Sequence, residues 1–293
     1  MNLPVVFIHS GNSSYLIHTF YQLKKSNPDH KMYLIGTDES NVYSGIVTHV
    51  PMSSYMKEAN HFKQLYRHFS TNSEAFELIC LQRWFILKEF LREHNIDRCL
   101  YLDSDVLFYS DINALETVYE QAGMTICGIS GHTNFIQRDV LELFCASILQ
   151  RYDGPDAIHS LQQYYETDAV QKGAFGCISD MTFLTDFALL HPEKVVNIYT
   201  PESNATFDPS FNVGEEYFVM KHSFKKIEFQ KNMPYGTLKN GQTVLFHTLH
   251  FQGSDAKKMM CSYIPLQTLQ FLWQRIVYKA IYIFQKAMLR THL

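Results

Sequence analysis

Residues 98–108 read RCLYLDSDVLF, an apolar run that stops at two carboxylates, Asp103 and Asp105, one serine apart. A short, continuous apolar run predicts a strand covered on both faces. Carboxylates under-solvated at the end of such a strand are costly unless a cation or a set of donors compensates them. The pair therefore predicts a strand that opens onto a crevice holding positive charge.

The flanking sequence says what kind of sheet carries that strand. LPVVFIH (3–9) stops at Ser10-Gly11-Asn12, and an amphipathic stretch from about Ser13 to Lys25 follows, with Tyr15, Leu16, Phe20 and Leu23 at helical spacing. KMYLIG (31–36) and IVTHV (46–50) predict two more strands separated by a turn at TDES, and one long helical region from about Lys57 to Glu93 leads into the acidic strand. Strands alternating with helices predict an α/β fold with a largely parallel sheet covered on both faces. Ligands of such sheets bind beyond the carboxyl ends of the strands, which is where Asp103 and Asp105 fall. Farther on, DINALETVYE and residues 136–151 predict helices, GMTICGIS a strand, and GAFGCISDMTFLTDFALLHPE a loop followed by a helix. KKIEFQ and QTVLFHTLHF predict late strands, and the chain after Pro265 is helical almost to its end.

Composition narrows the function classes. Apolar residues at 46% and charged residues at 18% of 293 exclude a disordered chain. A net charge of −4 gives no basic footprint for nucleic acid. The six cysteines are scattered without ligand spacing, mostly in apolar runs, and read as buried reduced thiols of a cytoplasmic protein. MNLPVVFIHSGN has no basic n-region, so it reads as a first strand rather than a leader. The expected organisation is one α/β domain over 1–262 with a helical appendage over 263–293.

Asp103-Ser104-Asp105 at the end of an apolar strand resembles the DxD motif of metal-dependent glycosyltransferases of the GT-A fold. The chemistry needs such a motif: a nucleoside diphosphate leaving group gathers negative charge, and a divalent ion on oxygen ligands neutralises it. A second stretch, HTLHFQGSDAKK (247–258), resembles the H-F-x-G-x-x-K motif of the retaining family 8 group. That resemblance implies a GT-A (Rossmann-like) mixed sheet flanked by helices. It also implies Mn2+ or Mg2+ held by Asp103, Asp105 and His250, with Ser104 beside the donor, Gly253 letting backbone approach phosphate, and a lysine on the diphosphate. The lysine departs from the motif: Ala256 stands at the motif position, so Lys257 or Lys258 serves after a shift of one residue. His247 and His250 point to opposite faces of an extended segment, and His247 reads as a core histidine.

Related transferases place an arginine on the helix before the DxD strand, which points to Arg83 as a donor contact; it reads equally as a surface arginine covering Trp84. Ser10, Asn12, Tyr15 and Asp38 occupy the loops where such enzymes hold the nucleotide. Tyr15 suits stacking on uracil and Asp38 a contact to base or ribose; they also read as a helix-surface tyrosine and a turn aspartate, and Asn12 as a turn or cap residue. GAFGCISDM reads as an acceptor-side loop in which Asp180 meets a sugar hydroxyl or stabilises the first turn of the next helix. His132 and Asn134 are candidates for the sugar pocket.

On the last helix Arg275, Lys279, Lys286 and Arg290 share one stripe, at about 100° per residue, while Trp273, Ile276, Ala280, Ile283, Phe284, Ala287 and Met288 take another broad side. That is the pattern of a helix lying in a membrane interface, or of one whose apolar side packs on the protein's own core. The expected function is transfer of a hexose or N-acetylhexosamine from a UDP-sugar to a glycan or lipid-linked acceptor, with a membrane surface as a further partner and no nucleic acid. Two other classes stand beside it: a non-catalytic sugar-nucleotide-binding protein of the same fold, and a phosphatase of the haloacid-dehalogenase type using the DSDV aspartate as nucleophile.

Overall fold

A computed structural model describes residues 2–169, 178–265 and 267–291. The elements run β1 (Val5–His9), α1 (Leu16–Ser26), β2 (Met32–Gly36), β3 (Thr48–Pro51), α2 (Lys57–Leu65), α3 (Glu74–Glu93), β4 (Arg98–Leu102), β5 (Val106–Phe108) and α4 (Ile112–Val118). There follow β6 (Met124–Ile126), β7 (Thr133–Gln137), α5 (Arg138–Arg151), α6 (Pro155–Tyr164), α7 (Asp180–Leu190), β8 (Val195–Asn197) and β9 (Ala205–Thr206). The last are β10 (Met220–Lys221), β11 (Phe224–Lys225), β12 (Ile227–Gln230), β13 (Met233–Thr237), β14 (Thr243–Phe246), β15 (Thr248–His250), α8 (Ser254–Met259) and α9 (Leu269–Thr291). A seven-stranded sheet has the order β3-β2-β1-β4-β7-β6-β8. The β1–β2 and β2–β3 pairs are parallel and β6–β7 antiparallel. This is the mixed, mostly parallel α/β architecture that the sequence predicts.

The chain divides into two compact units, one of 1–51, 101–118 and 197–293, the other of 52–100 and 119–196. This division is discontinuous, and α9 belongs to the first unit. In that unit β1 and β2 run level, from Val5 opposite Met32 to His9 opposite Gly36, and β2 is buried along its whole length. Phe7 packs edge-on against Phe20 of α1, whose predicted apolar positions Leu16, Phe20 and Leu23 are all buried. A four-stranded sheet β12-β13-β14-β9 and the two-stranded pairs β10–β11 and β5–β15 also belong to this unit.

The second unit is built around α3, whose Trp84 is fully buried and meets Phe144 of α5 edge-on at 5.5 Å. Phe144 in turn packs on Phe187 of α7. The helical region expected over 57–93 consists of two helices, α2 and α3. Ser70 and Asn72 both donate to the Glu77 carboxylate, and Ser73, in extended backbone, stands at the N-cap position of α3 with its carbonyl accepting from the Phe76 and Glu77 amides. The STNS cluster thus offers local side-chain partners that compete with helix continuation. Residues 133–137 form a strand, so the helix expected from 136 begins at Arg138. TDES opens a short helical turn over 38–43 rather than a plain turn.

Burial lowers three imidazoles of the first unit, His9, His18 and His247, to about 4, with the Arg275 guanidinium adding to the effect at His18. These rings stay neutral in the folded protein after their unfolded counterparts, near 6.5, have taken up protons. The unfolded state therefore binds more protons between pH 6.5 and 4, and stability falls with pH across that window. The expected slope is roughly 1.4 kcal/mol per pH unit for each proton taken up. Urea unfolding at pH 7, 6, 5 and 4 reads it; a flat profile would show that these rings are not neutral in the folded chain.

Candidate metal and nucleotide site

The site is assembled by one strand pair. After β4 the chain turns through Asp103-Ser104-Asp105, closed by the Val106 amide donating to the Asp103 carbonyl, and continues as β5. β5 pairs antiparallel with β15, with His250 opposite Val106, and the Phe251 amide donates to the Asp105 carbonyl. This register brings the histidine beside the second aspartate. One ligand atom from each of Asp103, Asp105 and His250 lies within 4.8 Å of the others. The His250 Nε2 is 3.5 Å from Asp105 Oδ1, and Asp103 Oδ1 accepts a 2.7 Å hydrogen bond from the Tyr101 hydroxyl.

The imidazole is held in one orientation. Its Nδ1 is 2.9 Å from the Pro209 carbonyl, which only accepts, so Nδ1 carries the proton and Nε2 faces the carboxylates. Its backbone N–H donates to Asp208 Oδ2 at 2.9 Å. Asp208 is paired through Oδ1 with Lys225 at 2.8 Å, and neither side chain is exposed. The Lys225 ammonium also donates to the carbonyls of Ser210 and Val213. A buried ion pair with its remaining donors satisfied is a rigid support.

Lys257, from α8, completes the charge balance with its Nζ 3.0 Å from Asp105 Oδ2 and 5.2 Å from the centre of the Tyr15 ring. Burial on its own would raise the Asp105 carboxyl. His250 and Lys257 outweigh it and hold the carboxyl well below the usual carboxylate range. In the same cluster burial works against the charged His250, but Asp105 and Asp103 prevail and its pKa rises. Ala256, at the motif's lysine position, is buried, whereas the next residue turns toward the carboxylates. The one-residue shift follows from how α8 packs. Lys258 points elsewhere, pairing with Asp255 on the exposed side of α8. Gly253, which caps α8 at φ +87°, adopts a backbone conformation that side chains disfavour, and a Cβ there would meet nothing within 4 Å.

Ser104 is buried, and two of its supports, His9 and Thr19, are not among the residues that the sequence singles out. His9 Nδ1 lies 2.9 Å from its hydroxyl, and the Thr19 hydroxyl donates to its carbonyl at 2.6 Å. Tyr15 comes within 3.5 Å of the same hydroxyl. Ser10 and Asp38 are exposed at the carboxyl ends of β1 and β2. Asn12 Nδ2 donates to Gln285 of α9. His247 is not part of this cluster: its ring is 2.7 Å from the Ser110 hydroxyl and packs on Phe207, as a core histidine does.

In the second unit Arg83 and Asp180 meet each other. Arg83 Nη2 donates to Asp180 Oδ2 at 2.5 Å and Trp84 Nε1 donates to the same oxygen at 3.2 Å. Asp180 opens α7, behind a Ser179 capping box. The part of the expected acceptor loop at 173–177 lies outside the described residues. His132 and Asn134 are both fully buried, and the Asn134 side-chain oxygen accepts from the Thr125 amide across β6–β7.

No family model matches the chain, and no curated protein matches it. Among solved structures it is similar to mouse xyloside xylosyltransferase 1 in its apo form, at 10% identity over 70% of this chain and 88% of that one, with a TM-score of 0.51. A crystal structure of an active-site mutant of LgtC covers 92% of this chain and 99% of its own at 11% identity, with a TM-score of 0.48. The fold is that of the GT-A glycosyltransferases, as the two motifs imply.

The support behind His250 can be tested directly. Asp208→Ala leaves Lys225 buried without its counter-charge and the His250 amide without its acceptor, and is expected to cost about 3–5 kcal/mol in urea unfolding. Adding Lys225→Met to it is expected to recover part of that loss. A cost below about 1 kcal/mol would show that the pair carries no weight.

Proposed function

We propose that this chain is a metal-dependent glycosyltransferase that moves a hexose or N-acetylhexosamine from a nucleotide sugar, specifically a uridine diphosphate sugar, to a glycan or lipid-linked acceptor. The supporting observation is the convergence of Asp103 and Asp105, in the turn between β4 and β5, with His250 of β15, far apart in sequence. Two carboxylates and an imidazole fixed in the ligating tautomer are a donor set that suits Mn2+ or Mg2+. The ligand atoms already lie within 4.8 Å of one another, so small side-chain rotations suffice to bring them onto one ion. A divalent ion so held supplies a Lewis acid for a diphosphate leaving group.

The chain's own residues do the rest by position and charge. Lys257 is the cation nearest the carboxylates, and on this reading its ammonium turns from Asp105 to a phosphate oxygen when the donor is bound. Gly253 keeps the loop before α8 free of a side chain, so backbone can approach the diphosphate. Ser10, Asn12, Tyr15 and Asp38 form the nucleotide end, with Ser104 between the two carboxylates and Lys258 at the outer rim. Asp180, steadied by Arg83 and Trp84, is the candidate for a sugar hydroxyl, and Arg83 the candidate donor contact. Catalysis on this reading is mainly charge stabilisation and positioning, with retention of anomeric configuration. We read residues 1–262 as the transferase body and 263–293 as its appendage.

Incubation of the chain with Mn2+ and a UDP-sugar tests this reading against its rivals. Slow, metal-dependent release of UDP is expected, and Asp105→Ala is expected to lower it by at least a hundredfold, the scale of losing a charge-stabilising group. Turnover of simple phosphomonoesters instead would favour the phosphatase. Binding of the nucleotide sugar with no turnover would favour a binding protein of the same fold.

The outer side of α9 favours a peripheral membrane contact as a second element of the reading. Trp273, Ile276, Ile283 and Phe284 are each more than half exposed, beside Arg275, Lys279 and Lys286, while no helix among the described residues is long and apolar enough to cross a membrane. Co-sedimentation with vesicles containing anionic lipid is expected, with Trp273→Ala and Phe284→Ala together weakening it about tenfold or more. Equal recovery with and without vesicles would remove the contact.

A further inference from the structure

The carboxyl ends of β1 and β2 are level, and the two loops that leave them are tied by the Gly11 amide donating to the Thr37 hydroxyl at 2.8 Å. In parallel α/β sheets this is where a ligand enters. Here the place is taken by a side chain of α9. The Gln285 carboxamide oxygen accepts from Asn12 Nδ2 at 2.5 Å, and its nitrogen donates to the Glu39 carbonyl at 3.2 Å. About two turns earlier on the same helix, Tyr278 stacks on Tyr43 at 4.8 Å, and the Tyr43 hydroxyl donates to the Ser13 carbonyl. Farther back, Phe271 stacks on Tyr21 at 3.8 Å.

The contact has the chemistry of a base site. A carboxamide presents a carbonyl acceptor next to an N–H donor, the same edge that a uracil ring presents at one carbonyl and its imide N–H. Asn12 Nδ2 and the Glu39 carbonyl are therefore satisfied by Gln285 in the way they would be by a base. The match is incomplete. Asn12 Oδ1 is buried and has no partner among the described residues, and a buried acceptor left unsatisfied costs free energy. The docked helix is thus open to exchange with a ligand that satisfies more of the same atoms.

The other faces of α9 do not oppose its release. Phe271, Tyr278 and Gln285 lie on one side of the helix, at about 100° per residue, and Trp273, Ile276, Ile283 and Phe284 lie roughly opposite, exposed as described above. A cavity of about 570 Å³ remains between the helix and the rest of the unit, lined by Tyr15, His18, Lys257, Cys261, Arg275 and Lys279 among others. The helix therefore lines the cavity that contains Tyr15 and Lys257, and through Gln285 it also meets Asn12 and the Glu39 carbonyl at the loops that leave β1 and β2.

We propose that α9 is an autoinhibitory strap: Gln285 occupies the nucleobase end of the donor crevice as a surrogate for the base, and a nucleotide and the strap compete for Asn12 and Glu39. This rests on the reading that the crevice takes a uridine nucleotide. Apparent affinity for a ligand whose competent state is only fractionally populated falls by that fraction. A strap docked nine-tenths of the time lowers it about tenfold.

The test uses the full chain with Gln285→Ala and, as a control on the exposed neighbouring position, Lys286→Ala. With UDP and Mn2+, calorimetry is expected to show about tenfold tighter binding for Gln285→Ala and no change for Lys286→Ala. Hydrogen exchange without nucleotide is expected to rise in residues 278–288 of Gln285→Ala. In the unaltered chain UDP is expected to raise exchange in that segment while protecting residues 10–13 and 37–41. Equal or weaker UDP binding by Gln285→Ala would overturn the competition, weaker binding making the helix a wall of the pocket. Unchanged exchange in Gln285→Ala would show that Gln285 does not hold the helix down. Should exchange rise as expected while neither protein binds UDP, the nucleotide reading falls and the competition with it, and only the docking contact stands.

Discussion

The site depends on one pairing: β15 lies antiparallel to β5 in a register that sets His250 opposite Val106. Because side chains alternate along a strand, a slip of one residue would turn the imidazole to the other face and bring a neighbour in its place. The register is held from outside the strand pair as well. Asp208 takes the His250 amide and Lys225 neutralises Asp208, both fully buried. A buried pair of this kind is weak evidence for stability and better evidence for specificity of arrangement. In this chain it fixes which face His250 presents.

Electrostatics give the cluster two states. Without an added ion, the Asp105 carboxylate is compensated by Lys257 and by a His250 whose pKa is raised. An ion bound by Nε2 must displace the proton that the raised pKa favours there, so on the proposed reading metal binding weakens as pH falls through the His250 pKa. On the same reading, an ion held by Asp105 would take over the role that Lys257 fills there, and Lys257 would be available to a phosphate oxygen of the donor. The one-residue departure of the lysine from the family motif is absorbed by α8, which buries Ala256 and turns Lys257 inward.

The elements that position the site were legible because each rests on a local rule. The apolar runs of β1, β2 and β4 announce buried strands, and the acidic pair announces a strand end. His250 is named by the resemblance of HTLHFQGSDAKK to the H-F-x-G-x-x-K motif rather than by a local rule, and strand alternation separates His247 from it. What was not legible lay in partners distant in sequence. Nothing local in FDPSFN or in FKK says that Asp208 and Lys225 will meet and support His250, and His9 looks like the last residue of an apolar strand until Ser104 is folded onto it. Arg83 and Asp180 each read equally as a ligand contact or as a local structural residue, and neither reading contains the pair that the fold makes of them. Within the helical region over 57–93 the break at 70–73 comes from Ser70 and Asn72 finding the Glu77 carboxylate. On α9, periodicity identified a basic stripe and an apolar side but not which side the protein keeps: Phe271, Tyr278 and Gln285 face inward, and the aliphatic and aromatic side chains read as one face are left outside.

The most direct measurement is a crystal structure of the chain grown with Mn2+, using the anomalous signal of the metal to locate it. The account predicts one strong peak bound to Asp103, Asp105 and His250 Nε2 at about 2.1–2.2 Å, with the Asp208–Lys225 pair unchanged behind the imidazole. A peak elsewhere, or a site without metal in which Lys257 still holds Asp105, would contradict it.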